Sequence, residues 1–103
     1  MHFLIHVLYN IIEDIAGFQF TIDGTTASDA FGGDAAEAGF NLDTGAGSTI
    51  IGFSWTESVV PAGCGVLVSL ALDGEADGIN EHDPIVFMNP SGNAIDVTEF
   101  HLN

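Results

Sequence analysis

The chain has 103 residues, fifteen Asp and Glu, no Lys and no Arg, for a formal charge of −15. Phosphate therefore finds no fixed cationic partner, which excludes charge-driven binding of nucleic acid and of anionic membrane surfaces. Apolar residues make up 47% of the chain, too many for a disordered acidic tail, so the composition implies one compact domain over residues 1–103 with an acidic, self-repelling skin.

The hydrophobic pattern repeats every two residues, as in strands. From His2 to Tyr9 one face carries Phe3, Ile5, Val7 and Tyr9, the other His2, Leu4, His6 and Leu8. Both faces are partly apolar, which predicts a strand covered on both sides. The stretch is too short to span a bilayer and lacks the positive region and small-residue cleavage site of a signal peptide. Either a signal has been removed, or the protein reaches its destination without one, as in capsid assembly inside a host cell. Ala16 to Ile22 alternates with Phe18, Phe20 and Ile22 on one face, and Asp23-Gly24 closes it as a turn.

Residues 25–47 are small, polar and Gly-rich. Asp34-Ala-Ala-Glu37 reads as a capping box and Gly39 as a helix stop, giving at most one short helical turn. Phe31 and Phe40 would pin this excursion to the core. Ser48 to Thr56 then places Ile51, Phe53 and Trp55 on one face, which predicts a buried Trp55. After the turn at Pro61 to Gly63, Cys64 to Leu72 alternates with Val66, Val68, Leu70 and Leu72 inward. Cys64 is the single cysteine and reads as a small buried hydrophobe. Pro84 to Met88 and Ala94 to Phe100 are the last strands.

About six or seven strands with frequent turn signals predict an all-β, compact antiparallel β-sandwich. Its expected core holds Phe18, Phe20, Ile22, Ile51, Phe53, Val66, Val68, Leu70 and Ile95.

Asp73-Gly-Glu75-Ala-Asp77-Gly78 matches the first half of an EF-hand loop, with oxygen ligands at positions one, three and five and Gly at six. Glu81 falls at position nine, but position twelve is Pro84 and no helices flank the loop. A true EF-hand is rejected. A simpler Ca²⁺ loop of Asp73, Glu75, Asp77, Glu81 and Asp83 is the candidate metal site, against the plainer reading of a solvated acidic turn. His2 and His6 lie about 13 Å apart along a strand and cannot share a metal. Carboxylates abound, yet no Ser-His-Asp spacing, phosphate loop or cofactor motif accompanies them, so the expectation is a protein that is not an enzyme and has no cofactor besides Ca²⁺.

The segment Asp14-Ile-Ala-Gly-Phe-Gln-Phe20 resembles an early strand of the cohesin and carbohydrate-binding-like β-sandwich group. Ile50 to Trp55, Val60 to Leu67 and Asp83 to Asn93 resemble later strands and the closing hairpin of that group. A compact version of this layout, cohesin-like or jelly-roll-like, also looks like modules of marine bacterial surface proteins and marine phage structural proteins. The resemblance implies the fold and a structural or adhesive role, with no binding residue carried over.

Together these readings point to a module on a virion surface, a decoration or fibre subunit that works through protein partners or self-assembly. The rival is an extracellular or cell-surface cohesin-like or carbohydrate-binding module of a larger bacterial protein. The expected interface is the polar-and-apolar face of the first strand, with Leu4, His6 and Leu8.

Overall fold

The computed structural model describes residues 3–44, 48–80, 85–95 and 97–102. Two antiparallel sheets pack face to face. Four strands make one sheet, in the order β3 (Ala27–Phe31), β6 (Gly63–Leu72), β1 (Phe3–Ile11), β9 (Val97–Leu102). The second sheet runs β4 (Asn41–Asp43), β5 (Thr49–Phe53), β2 (Gly17–Asp23). The far edge of β2 is shared in series by β7 (Gly78–Ile79) and β8 (Val86–Met88). One short helix, α1 (Gly33–Glu37), lies between β3 and β4.

The predicted all-β sandwich is the fold observed, and its core follows the period-two pattern in most strands. Val7, Tyr9 and Ile11 of β1 face Phe18, Phe20 and Ile22 of β2, and all six are buried. Val68, Leu70 and Leu72 complete the inner face of β6. Phe18 is the hub of a phenylalanine cluster, stacked 6.0–6.2 Å from Phe20, Phe40 and Phe87. Phe100 meets Phe20 and Phe87 edge-on. Each such pair adds about 0.5–1.5 kcal/mol beyond area burial. Ile95 is buried as expected.

Three expected core residues lie instead at half-buried positions. In β5 the inward residues are Ile50 and Gly52, so Ile51 and Phe53 point outward. The phase is set by Phe18, whose ring occupies the space over Gly52 that a side chain would need. In β6 the register slips between Val7↔Val68 and Leu8↔Val66. This bulge puts Val66 opposite Leu8, on the other face from Val68, and leaves Leu67 as the extra residue, fully buried.

Over residues 25–44 the Gly-rich segment forms more strand than its composition implies. It contains β3 and β4, which with β7 are the edge strands missed in the sequence. Phe40 is buried, whereas Phe31 is exposed on the outer face. The helix forms where expected, but no side chain caps it. Gly32 takes the cap position, and the Asp34 carboxylate turns away to Tyr9. Gly39 ends the helix with φ +87°, a conformation that favours glycine.

Candidate binding surfaces

The first candidate surface is the outer face of the β3-β6-β1-β9 sheet. Leu4 is 62% exposed, while His6 and Leu8 are half-buried. Their cross-strand neighbours on β6 are Ala71, Ser69 and Val66. His6 Nδ1 lies 2.8 Å from Ser69 Oγ, which ties the imidazole to β6. Phe31 of β3 pairs with Ser69 and extends the apolar strip. The expectation that β1 is covered on both faces is thus corrected: within this chain only the inner face is covered. β6 occupies one edge of β1 along its whole length, whereas β9 pairs only with Val7 to Ile11 on the other, so among the described residues strand pairing is open to a partner only along residues 3–6. The side chains of Leu4, His6 and Leu8 make their contacts face-on.

The acidic loop is tied to the β2–β3 turn. Thr26 Oγ1 donates a hydrogen bond to Asp73. Asp77 folds back on the β2–β3 turn, where its backbone N–H donates to the Asp23 carbonyl at 2.8 Å. The Asp77 carboxylate fills the space beside Gly24, whose φ of +93° suits a tight turn. Asp73, Glu75 and Asp77 lie at or near the surface, and among the described residues no three His, Cys, Asp or Glu converge as a metal centre. Glu81 and Asp83 lie outside the described residues.

A cleft of about 500 Å³ opens beside α1, lined by Tyr9, Asp34, Glu37, Pro61 and Cys64 among others. The Tyr9 hydroxyl donates to Asp34 Oδ2 at 2.6 Å, tying the helix to β1. Burial raises the phenol pKa above its ordinary value, and the hydrogen bond to Asp34 and that carboxylate's charge raise it further. Tyr9 therefore holds its proton and serves as a tether. Cys64, expected inside, is exposed at the start of β6. It stands opposite Asn10, on the outer face.

The second sheet carries an apolar shelf on its own outer face. A row of cross-strand partners runs Met88, Gly17, Phe53, Asn41 over β8, β2, β5 and β4; the next row runs Val86, Gln19, Ile51, Asp43. Gly17 lacks a side chain, and a shallow groove of about 320 Å³ forms over it. Just past β5, Trp55 is 81% exposed, the reverse of the expected burial. Its ring meets Phe53 edge-on, 5.2 Å between centroids and 87° between planes.

The loop that displays Trp55 is held by hydroxyls. Ser54 Oγ accepts hydrogen bonds from the backbone N–H of Thr56 and of Ser58, both at 3.1 Å. The Thr56 and Ser58 hydroxyls pair at 2.9 Å. Glu57 has φ +59°, rare for a residue with a side chain, and this kink helps send the strand away from the sheet. Sequence alternation alone could not reveal the shelf. Ile50/Gly52 and Ile51/Phe53/Trp55 both read as one-sided sets, and only the ring of Phe18 decides between them.

No protein-family model matches the chain, and neither a curated protein nor a solved structure is significantly similar to it.

Proposed function

We infer that the chain is a non-enzymatic structural or adhesive module, a decoration or fibre subunit of a virion surface. The observation that carries this reading is the exposure of apolar side chains on both outer faces of the sandwich. Leu4 and Phe31 are exposed on one face, Trp55 and Met88 on the other. Contiguous exposed apolar patches mark interaction surfaces in soluble proteins. The acidic skin around them opposes indiscriminate clumping, so contacts form where screening or a complementary partner permits. A secreted cohesin-like or carbohydrate-binding module of a larger bacterial protein is the second reading, and the exposed Trp55 is what favours it. Ca²⁺ belongs to either reading only as a ligand of the acidic loop, where the candidate carboxylates are those of Asp73, Glu75 and Asp77, with Glu81 and Asp83 outside the described residues.

The test is sedimentation at rising salt. The wild type is expected to self-associate once charge repulsion is screened, or to bind a purified particle at fixed stoichiometry. The Leu4→Asp, Leu8→Asp double variant is expected to keep its circular dichroism and lose the association. A wild type that stays monomeric and particle-free, or a double variant that assembles as well as wild type, overturns the assignment of this face.

A further inference from the structure

The shelf on the second sheet has features that an assembly contact does not require. The geometry points to a binding site for a neutral, hydroxyl-rich glycan on the outer face of β8-β2-β5-β4, with Trp55 as the stacking platform. The inference deepens the second reading, on which it rests, by naming the glycan class and the residues that take it; it is independent of the assembly reading, since the shelf lies on the opposite sheet from Leu4 and Leu8.

A sugar ring is amphipathic: its C–H face stacks on an aromatic plane while its hydroxyls seek donors and acceptors in the ring plane. The shelf offers both kinds of group. Trp55 is 81% exposed, and its ring is braced edge-on by Phe53, which also lines the groove over Gly17. The hydrogen bonds to Ser54 fix the loop beforehand, so little ordering is needed on binding. Gln19 lies within the groove, and Asn41 lies beside Phe53 on the neighbouring strand. Both amides are exposed, and among the described residues neither side chain makes a hydrogen bond. Each therefore keeps a donor and an acceptor for a ligand hydroxyl. Neighbouring strands are about 4.8 Å apart, so the row from Met88 to Asn41 is about 14 Å wide, enough for more than one sugar ring.

Charge selects the class of glycan. The chain has no Lys or Arg, and Asp43 flanks the shelf opposite Ile51. Sulfated and uronate chains would meet repulsion with no cation to offset it. A second copy of this chain would bring another fifteen carboxylates, so at low salt it is the weaker occupant. A cationic peptide satisfies the charge but leaves the two amides and the open groove without a role.

Trp55 is the only tryptophan, so its emission reads the site directly. The probes are laminarin, mannan and cellohexaose as neutral glycans, alginate and carrageenan as anionic ones, and oligolysine as the cation. At least one neutral glycan is expected to give a saturable emission change that persists in high salt. Alginate and carrageenan are expected to give none at low salt. Gly17→Val should fill the groove floor, since a Cβ there meets only ordinary contacts, 3.5 Å from the Gly52 carbonyl oxygen and 4.0 Å from Met88 Cε, and circular dichroism checks that the γ carbons leave the fold intact. Calorimetry on Gly17→Val and on Trp55→Ala should show affinity weaker by about tenfold or more. Leu4→Asp, on the other sheet, should bind as wild type. The inference is overturned if no neutral glycan binds, if the anionic glycans bind equally well at low salt, or if both shelf variants bind like wild type. Displacement of the glycan by oligolysine at high salt would reassign the shelf to a cationic partner.

Discussion

Gly52 and Gly17 lie on adjacent strands, one facing inward and one outward, and substituting each by alanine should give opposite results. A Cβ at Gly52 would sit 2.3 Å from Phe18 Cε1 and Cζ. Carbon contacts are comfortable at about 3.5–4.0 Å, so the overlap exceeds about 1 Å. Phe18 has no room to retreat, being 3% exposed and stacked against Phe20, Phe40 and Phe87. Overpacking of this kind costs about 1–3 kcal/mol. The gain from replacing glycine within a strand offsets only about 0.5–1 kcal/mol of that. A net loss of about 1–2 kcal/mol corresponds to a Tm drop of about 4–16 °C in a domain of this size. Gly17→Ala, with only ordinary contacts at 3.5 and 4.0 Å, should be neutral or gain up to about 1 kcal/mol. Adding Phe18→Leu to Gly52→Ala should relieve the clash, giving a coupling of about 1 kcal/mol or more in a double-mutant cycle. Urea melts followed by far-ultraviolet circular dichroism suit the measurement, because Trp55 is already exposed when folded and reports unfolding poorly. Equal stability of Gly52→Ala and Gly17→Ala, with no coupling to Phe18, would refute the account of how β5 chooses its inward face.

Tyr9 should mark the alkaline limit of stability. Its pKa is raised on folding, so its contribution is complete below the unfolded value of about 10 and is lost as pH rises toward the folded value. Phenolate absorbance of this single tyrosine should therefore lag the free amino acid, and Tyr9→Phe should show a flatter decline of stability above about pH 10. An ordinary titration midpoint in the folded protein would contradict the tether to Asp34. Fifteen carboxylates without a cation should make Tm rise with NaCl, and a Tm that falls or stays flat would sink the self-repulsion argument. Ca²⁺ is expected to stabilise more than Na⁺ at equal ionic strength, with the excess reduced in Asp77→Asn. An excess that Asp77→Asn leaves unchanged would remove the 73–83 loop as its site.

Much of the sandwich was legible because alternation and turn dipeptides are local signals. β1, β2, β5 and β6 begin and end within a few residues of the positions their patterns imply. What escaped detection depended on neighbours distant in sequence. β3 and β4 carry few large apolar residues, since an edge strand over a partly covered face needs few. The phase of β5 turned on Phe18, more than thirty residues earlier. The β6 bulge reversed Val66 through a register that only pairing with β1 defines. Trp55 followed from the β5 phase, so the same ambiguity that hid one core residue hid the most exposed aromatic. The acidic loop shows the converse limit. Its spacing matched a calcium motif, but Asp73 and Asp77 are turned toward the β2–β3 turn by bonds that no spacing rule contains.

The central place of β1 also sets the order in which the protein can form during synthesis. Its hydrogen bonds reach residues 63–72 on one side and 97–102 on the other. Neither set exists when β1 leaves the ribosome, and at about 5–20 residues per second the wait for β9 is on the order of ten seconds. Through that interval Phe3 to Ile11 is an uncharged, proline-free run of high β-propensity, the kind of segment that stacks with its own copies. Glu13 and Asp14 follow it after Ile12 and act as gatekeepers. In the nascent chain, as opposed to the folded domain, the value of the acidic residues is that they keep one unpaired first strand from meeting another.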